Sequence, residues 1–191
     1  MKLSPIVEQL RKFAPTFRGD VIASIEVEDA LESVKGKGAL AIVVPGAVTA
    51  EASPNRQLIR QELSEEFSVF AQVKTGNERG AQAIDALDDI RRELCLTLVG
   101  WTFDDFAPIQ LVGFDFEECN RGFTLARFDF STTRQLGRND ANDPAETWQE
   151  REEDGLPALE AVHINVDVVD PIANPLPGPD GHIEFQTEVK L

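Results

Sequence analysis

The chain has 191 residues, enough for one domain or for one domain with an appendage. Hydrophobic residues make up 42% of it and charged residues 27%, which is typical of a folded globule and excludes a wholly disordered chain. The formal net charge of −16, without a basic stripe, disfavours a protein that grips nucleic acid, because gripping phosphates requires Lys and Arg.

Helical spacing predicts a helix near the start of the chain, set by the apolar residues Ile6, Val7, Leu10 and Phe13. Pro5 suits the first helical position, and Pro15 ends the segment. Residues 21–34 allow two interpretations, since their first apolar residues favour a strand and the acidic stretch after them favours a helix. The continuous apolar run at residues 39–44 predicts a strand that is covered on both faces.

Alternation from residue 63 to residue 73, broken only by Phe70 on the polar face, predicts a half-buried strand, with Glu65 as the one charged residue on its apolar face. The strongest helical pattern follows, with Asn77 as its expected cap and Gly100 as its stop. The apolar positions of this long helix are Ile84, Leu87, Ile90 or Arg91, Leu94, Leu98 and Trp101.

Two aromatic-rich strands are expected next. Val112, Phe114 and Phe116 alternate on the first strand, and Ala126, Phe128 and Phe130 alternate on the second. A two-residue loop would put the aromatic residues on opposite faces, so we expect a three-residue loop at 120–122, with Gly122 at its positive-φ position. This loop pairs residue 119 with residue 123. It therefore predicts the pairs Phe116 with Ala126, Phe114 with Phe128, and Val112 with Phe130.

The last third of the chain has a different composition. Residues 137–158 are polar, acidic and rich in turn formers, which predicts a surface loop with a short helix around 145–151. Alternation at 162–168 and again at 183–189 predicts two strands joined by a Pro- and Gly-rich segment. No apolar run approaches the roughly 20 residues that span a bilayer, so no membrane partner is expected.

Sequence motifs for known chemistries do not occur: there is no G-x-S-x-G, Walker loop, G-x-G-x-x-G, H-E-x-x-H or C-x-x-C. Residues 76–80 superficially resemble a phosphate loop but lack its Lys and Ser or Thr, so a turn and a helix start are the favoured interpretation. His163, Asn165 and Asp167 share one strand face and could form a metal or proton-transfer site. The solvent face of a half-buried strand is the favoured interpretation for them.

Cys95 lies on or beside the apolar stripe of the long helix and is interpreted as a small buried residue rather than a nucleophile. Cys119 is the only other cysteine, so neither a zinc site nor a disulfide framework is expected, and a reducing compartment is the default.

Carboxylates are abundant enough for a two-metal nuclease to be considered, built from Asp104, Asp105, Asp115, Glu117 and Asp129. In the predicted hairpin, however, Asp115 lies across from Arg127. Such a cross-strand pair of opposite charges, worth about 0.2–1 kcal/mol, is the favoured interpretation. We therefore expect no catalytic, cofactor-binding or metal-binding residues, and no cofactor.

Several segments occur in an order and spacing that resemble the tail terminator (tail completion) proteins of long-tailed bacteriophages, in particular the Mu-like group. They are the strand 66–71, the turn and helix 76–91, the segment 98–101, the hairpin 109–130 and the ending 178–181. The resemblance implies an α+β fold, with a twisted mixed or antiparallel sheet packed by helices on one face. The patterns along the chain divide it into a core at 1–136, an acidic surface loop at 137–158 and a C-terminal β-hairpin extension at 159–191, and the part from residue 137 onward is longer than the minimal family pattern.

The resemblance also implies a non-enzymatic virion protein of the tail or neck, assembled in the host cytoplasm. Six copies would form a homohexameric ring that caps the tail tube, stops its polymerisation and offers a docking surface to the head–tail connector. DNA would pass through the ring without specific binding, because an acidic lining would repel it. From its charge alone, we expect the acidic cluster at 140–154 to supply this lining. Two alternatives stay open: another head–tail connector or neck protein, and a small metal-dependent hydrolase or nuclease.

Overall fold

The computed structural model describes residues 1–33, 38–54, 59–74, 81–119, 123–140, 142–156, 161–166 and 185–190. The chain divides into two compact units, Met1–Glu150 and Arg151–Leu191. In the part of the chain that is described, no helix is long and apolar enough to cross a membrane.

The first unit is built on a five-stranded sheet with the strand order β1-β2-β3-β5-β4. The strands are β1 (Val21–Ala23), β2 (Leu40–Ala50), β3 (Gln61–Lys74), β4 (Gln110–Cys119) and β5 (Phe123–Leu136). β1 pairs with β2 in parallel and the other pairs are antiparallel. The sheet is therefore mixed, with β1 and β4 at its two edges, and the expected α+β class with a mixed sheet is confirmed.

Four α-helices are described: α1 (Ser4–Phe13), α2 (Val27–Ser33), α3 (Ala81–Leu98) and α4 (Trp148–Asp154). A short 3-10 helix at Pro15–Phe17 follows α1. α3 ends where the sequence predicts, because Gly100 has φ +82, a left-handed backbone conformation that glycine adopts without strain.

The main core lies between one face of the sheet and the two helices α1 and α3. Alternate residues of β3 and β5 supply it, and Phe67 stacks on Phe130 with ring centroids 5.3 Å apart. The predicted alternation of β3 is confirmed, including Glu65, which is 4% exposed. Four fully buried residues of β2 (Leu40, Ala41, Ile42 and Val43) confirm a strand that is covered on both faces.

The smaller helix α2 lies on the opposite face of the sheet, where Ala30 packs with Leu40 and Ile42 of β2. The family resemblance implied helices on one face of the sheet only. The difference arises because residues 21–34, which were ambiguous, form both a short strand and a helix. Leu40 and Ile42 point away from the main core and need this second cover.

The predicted register of the β4–β5 hairpin is confirmed at its centre, where Phe116 pairs with Ala126 and Phe114 with Phe128. The predicted pairs Val112 with Phe130 and 119 with 123 are wrong: Phe130 pairs with Leu111, and Cys119 with Thr124. A register shift on each side of the centre accounts for both errors, because a bulge adds an unpaired residue to one strand. The predicted loop, with Gly122, lies outside the described residues.

Two apolar residues that helical spacing placed toward the core are instead exposed. Ile84 of α3 is 65% exposed and Phe13 of α1 is 50% exposed. The remaining positions of α3 follow the prediction, since Leu87, Ile90, Leu94 and Leu98 are buried. Ile84 stands over β4, the last strand of the sheet, so no further strand covers it. Asn77, the expected cap, lies outside the described residues.

The second unit contains the end of α4 and two strands, β6 (Ala161–Val166) and β7 (Phe185–Lys190). They pair antiparallel, with Val162 opposite Val189 and Ile164 opposite Thr187. The side chains of Ile164, Phe185 and Val189 are exposed. The Pro- and Gly-rich segment between the strands lies outside the described residues.

Candidate functional site

The carboxylate face of the β4–β5 pair surrounds an arginine. Arg127 Nη2 lies 2.6 Å from Asp115 Oδ2, its Nη1 lies 3.1 Å from Glu117 Oε1, and its Nε lies 3.2 Å from Asp129 Oδ2. Ser68 of β3 donates a hydrogen bond of 2.6 Å to the other oxygen of Asp129. The predicted pairing of Asp115 with Arg127 is confirmed, and two further carboxylates share the same guanidinium.

This arrangement places a protein cation where a two-metal site would need its ions. The carboxylates raise the pKa of Arg127 above its ordinary value, Asp129 most strongly, so the guanidinium stays charged. Asp104 and Asp105 belong instead to the turn before β4, where Asp104 has φ 46. Within the described ranges, no group of three His, Cys, Asp or Glu residues is placed to hold a metal ion.

The other candidates from the sequence do not converge in what the structure describes. Cys95 is a half-buried residue of α3. His163 and Asn165 lie on β6, and their side chains lie outside the described set. Asp167, the 76–80 segment and the side chain of Cys119 also lie outside it.

The acidic segment before and within α4 is organised by one buried carboxylate, Glu150, which is 1% exposed. Its Oε2 accepts hydrogen bonds from the backbone N–H groups of Glu146 at 2.8 Å and Thr147 at 3.0 Å. Its Oε1 accepts one from the N–H of Arg138 at 2.8 Å. In return, the Glu150 N–H donates to Thr147 Oγ1 at 3.3 Å, which completes a capping box at the start of α4.

The hydrogen bonds set the ionisation of Glu150. Burial is the largest single cause and raises its pKa, but the donors from Glu146, Arg138 and Thr147 together outweigh it and lower the pKa from 4.5 to about 2. Glu150 is therefore a structural anion, and the expectation that it belongs to a solvent-facing acidic cluster is wrong. The spacing Thr-x-x-Glu at 147–150 is the signal in the sequence that would have identified it.

A second buried carboxylate, Glu65, lies beside this segment in the fold. Its Oε1 is 3.6 Å from Nε of Arg134, and its Oε2 forms an ion pair with the amino group of Met1. Arg134 also binds Glu146, with Nη1 3.1 Å from Oε1. Glu146 in turn accepts the N–H of Gly137 at 2.9 Å. Glu65, the charged residue on the apolar face of β3, thus connects β3 to β5 and, through Arg134, to the segment before α4.

Gly137 is the point where β5 leaves the sheet toward α4. Its φ is +103, and a Cβ added there would lie 2.8 Å from the carbonyl oxygen of Ile59. A cleft of about 610 Å³ opens next to this turn, and Phe106 and Arg134 lie in its wall. Because Arg134 is already bound to Glu65 and Glu146, we assign this residue of the wall a structural role.

An apolar groove of about 160 Å³ runs between α3 and the edge strand β4. Its walls include Ile84 and Leu87 from α3 and Phe114 and Phe116 from β4. Three of these four side chains are between 42% and 65% exposed: Ile84, Phe114 and Phe116. An ion pair between Asp88 and Arg91 lies at the rim. Contiguous exposed apolar residues beside a sheet edge mark a contact surface for another protein.

The charged groups around Arg127, Glu65 and Glu150 are paired or hydrogen-bonded within the chain, and apolar side chains are exposed beside a sheet edge. This combination is typical of a protein that functions by binding other proteins. The model of the phage tail terminator protein family matches residues 1–142, and the chain belongs to this family. A search of curated proteins gave no match. Members of the family are structural, non-enzymatic components of the phage tail, which bind the tail tube and end its polymerisation. The alternative of a metal-dependent hydrolase or nuclease is thereby excluded.

Proposed function

We propose that this protein caps the tail tube as a ring of six copies and that the free face of the ring binds the head–tail connector. A closed ring uses every head-to-tail contact of its subunits, so it leaves no contact at which further subunits could add. The ring would belong to the neck of a Mu-like virion and would assemble in the host cytoplasm.

The observation that carries this proposal is the uncovered apolar surface at one edge of the sheet. Val112, Phe114 and Phe116 of the edge strand β4 are between 42% and 59% exposed, and the two phenylalanines line a groove with Ile84 of α3. A single copy leaves these side chains in water, at a cost of about 25 cal/mol per Å² relative to burial. Contact with other subunits removes that cost.

We also propose that DNA passes through the ring without adhering to it, and the strong negative charge of the chain, −16 in total, supports this. Like charges repel across a short gap, so an acidic lining prevents the genome from adhering. We propose that Glu152, Glu153 and Asp154 belong to this lining. All three are exposed, whereas Glu150 is buried and takes no part.

Charge reversal tests the lining. Replacing Glu152, Glu153 and Asp154 with Lys should leave tails of normal length but slow the release of DNA, measured by dye accessibility after triggered ejection. The control is a triple exchange to Gln, Gln and Asn, which removes charge without reversing it and should have a smaller effect. Unchanged ejection by the triple Lys variant would refute the acidic lining.

The ring and its docking role are tested together by reconstitution. An infection without this protein supplies uncapped tails and filled heads, and the purified protein is added to both. We expect a ring of six copies at each tail end in averaged electron micrographs, followed by joined particles. Capped tails with a different copy number would contradict the hexamer, and capped tails that never join heads would contradict the docking role.

A further inference from the structure

The sheet of the first unit has two open edges. β1 pairs only with Ala41–Val43 of β2, and in the described ranges no strand pairs with the outer side of β2 at residues 44–50. β4 is the last strand at the other side of the sheet. Residues 45–50 are all exposed, and residues 44–50 carry no charge. An edge without charged side chains is a surface on which another strand can pair.

The backbone groups of the two edges point outward at matching positions. Glu51 donates its N–H to a carbonyl oxygen of β3, at 3.0 Å. Successive residues of an antiparallel strand direct their backbone groups to alternate sides, so Val48 and Ala50 direct theirs to the open side of β2. The same alternation, followed across the paired residues of β3 and β5, directs the backbone groups of Phe114 and Phe116 to the open side of β4. Each edge thus presents two residues, at the same spacing, for pairing with another strand.

The two edges also match in strand direction and in their apolar face. β3 runs opposite to β2, β5 opposite to β3 and β4 opposite to β5, so β4 runs antiparallel to β2. Phe114 lies on the face of the main core, because it pairs with Phe128. Val48 lies on the same face, because it pairs with Glu65, which alternates with Phe67. β4 of one copy therefore fits beside β2 of another as the next antiparallel strand, with the apolar residues of both on one face.

We infer that the outer edge of β4 in one copy pairs antiparallel with β2 of the next copy, with Phe116 beside Val48 of the partner subunit and Phe114 beside Ala50 of the partner subunit. This inference rests on the proposed ring and names the contact between its subunits. The contact joins two different edges, so each copy supplies one and accepts the other, as a closed ring requires. Pairing of two β2 edges or of two β4 edges would leave one edge of every copy open.

The side-chain faces and β1 limit the register of this pairing. A shift of one residue would put the apolar residues on opposite faces of the joined sheet. A shift of two toward the start of β2 would bring Cys119 beside Val43, where β1 already pairs. The acidic segment 20–33, which includes β1, therefore stays outside the strand pair. Asp115 of β4 lies beside Thr49 of the partner subunit in this register, so it meets no like charge there.

Disulfide formation between copies tests this register. All variants carry Cys95→Ser and Cys119→Ser, so they contain no other cysteine. The full-length variant with Val48→Cys and Phe116→Cys is added to tail tubes from an infection that lacks the protein, and the sample is oxidised. Directly opposite residues of this type have Cα atoms about 5.5 Å apart, within the range of a disulfide. We expect a ladder of covalent species, up to six copies, on a denaturing gel without reductant.

Thr49→Cys combined with Phe116→Cys is the matched control, because residue 49 is one position away and its side chain lies on the opposite face of the sheet. This variant should form no ladder. Val48→Cys alone and Phe116→Cys alone should each stay monomeric on the gel, because the contact joins different edges.

Ala50→Pro tests the backbone part of the contact independently, because it removes an N–H that is directed away from β3. The protein concentration at which half of the tube ends carry a ring should rise about tenfold. Ala50→Val keeps the N–H and should assemble like the wild type. Thermal unfolding of both variants checks that they are folded.

The outcomes separate the contact from the ring itself. Rings without a ladder from the variant with Val48→Cys and Phe116→Cys, or a covalent dimer from either single variant, would show that other surfaces join the copies, and the ring would stand. Assembly of Ala50→Pro at the wild-type concentration would contradict the strand pairing. If the wild type forms no ring on any tube, the proposed function fails, and this contact fails with it.

Discussion

Glu150 connects a loop, a helix start and the end of β5 through one carboxylate. It accepts backbone N–H groups from Arg138, Glu146 and Thr147, so three donors that would otherwise be unsatisfied depend on it. Its charge is part of the fold because the charged form accepts these bonds best. The pKa of Glu150 is about 2 for the same reason, because the hydrogen bonds that stabilise the charged carboxylate oppose its protonation.

Glu150→Gln should lower the free energy of unfolding at pH 7, and this loss should become smaller as the pH falls. The folded-state pKa lies below the ordinary value of 4.5, so the carboxylate stabilises the fold above about pH 4.5 and loses this contribution as the pH falls toward 2. The difference in free energy of unfolding between wild type and variant should therefore be full at pH 7 and should shrink at pH 4 and pH 3. Urea unfolding at these three pH values measures it.

Glu153→Gln is the control for this experiment, because Glu153 is an exposed carboxylate of the same helix. Its stability should differ little from that of the wild type at any pH. A constant difference between Glu150→Gln and wild type across the pH range would mean that shape, not charge, is what the capping box requires.

Arg134→Met should destabilise the protein by about 2 kcal/mol, because it removes a counter-charge from the buried Glu65. Adding Glu65→Gln should recover part of this loss, since the uncompensated charge disappears. Arg92→Met, at an exposed position of α3, should change stability by less than about 0.5 kcal/mol. Chemical denaturation measures all three variants, and an equal effect of Arg134→Met and Arg92→Met would contradict the role of the ion pair.

Among the elements, the paired strands β4 and β5 differ in how far their aromatic residues are buried. Phe130 of β5 is fully buried and stacks on Phe67, whereas Phe114 of β4 is 42% exposed. Phe130→Ala should therefore cost about 4 kcal/mol and Phe114→Ala only about 1 kcal/mol in free energy of unfolding. Equal costs in denaturant unfolding would contradict the assignment of β4 as an edge strand with an open apolar face.

The elements show which parts of the fold local patterns can predict. Alternation located β3 and the centre of the β4–β5 hairpin, because burial on one face imposes a period of two. The same pattern could not locate the bulges on either side of Phe114 and Phe116, since an extra unpaired residue leaves no periodic signal. Likewise, spacing placed Ile84 on the apolar stripe of α3 but could not show that the sheet ends beneath it.

The ion pairs and the contact surface could be predicted only in part from the sequence, for a similar reason. The pairing of Asp115 with Arg127 followed from the register, and Glu65 was recognised as a misfit in its strand. The partners of Glu65 come from Arg134 and from the start of the chain, which are distant in sequence. Apolar residues such as Phe13 can be recognised as exposed only from the fold, because the sequence does not show that no other element covers them.

At the scale of the whole molecule, two kinds of surface have different roles. Buried and paired charges, such as Glu65, Glu150 and Arg127, hold the first unit together. The groove between α3 and β4 is open and apolar, and it is available for contact with another protein. A protein with these surfaces ends polymerisation of the tail tube by binding to it. Its activity is therefore measured by the length and the capping of tails rather than by a reaction rate.

Tail length is the most direct measurement of this central claim. Electron microscopy of an infection without this protein should show tails of widely varying, excessive length, and added purified protein should restore a single narrow length distribution. Arg127→Met, which alters the carboxylate face, should leave this restoration intact as long as the protein folds. Tails of normal, uniform length in the absence of the protein would contradict the account.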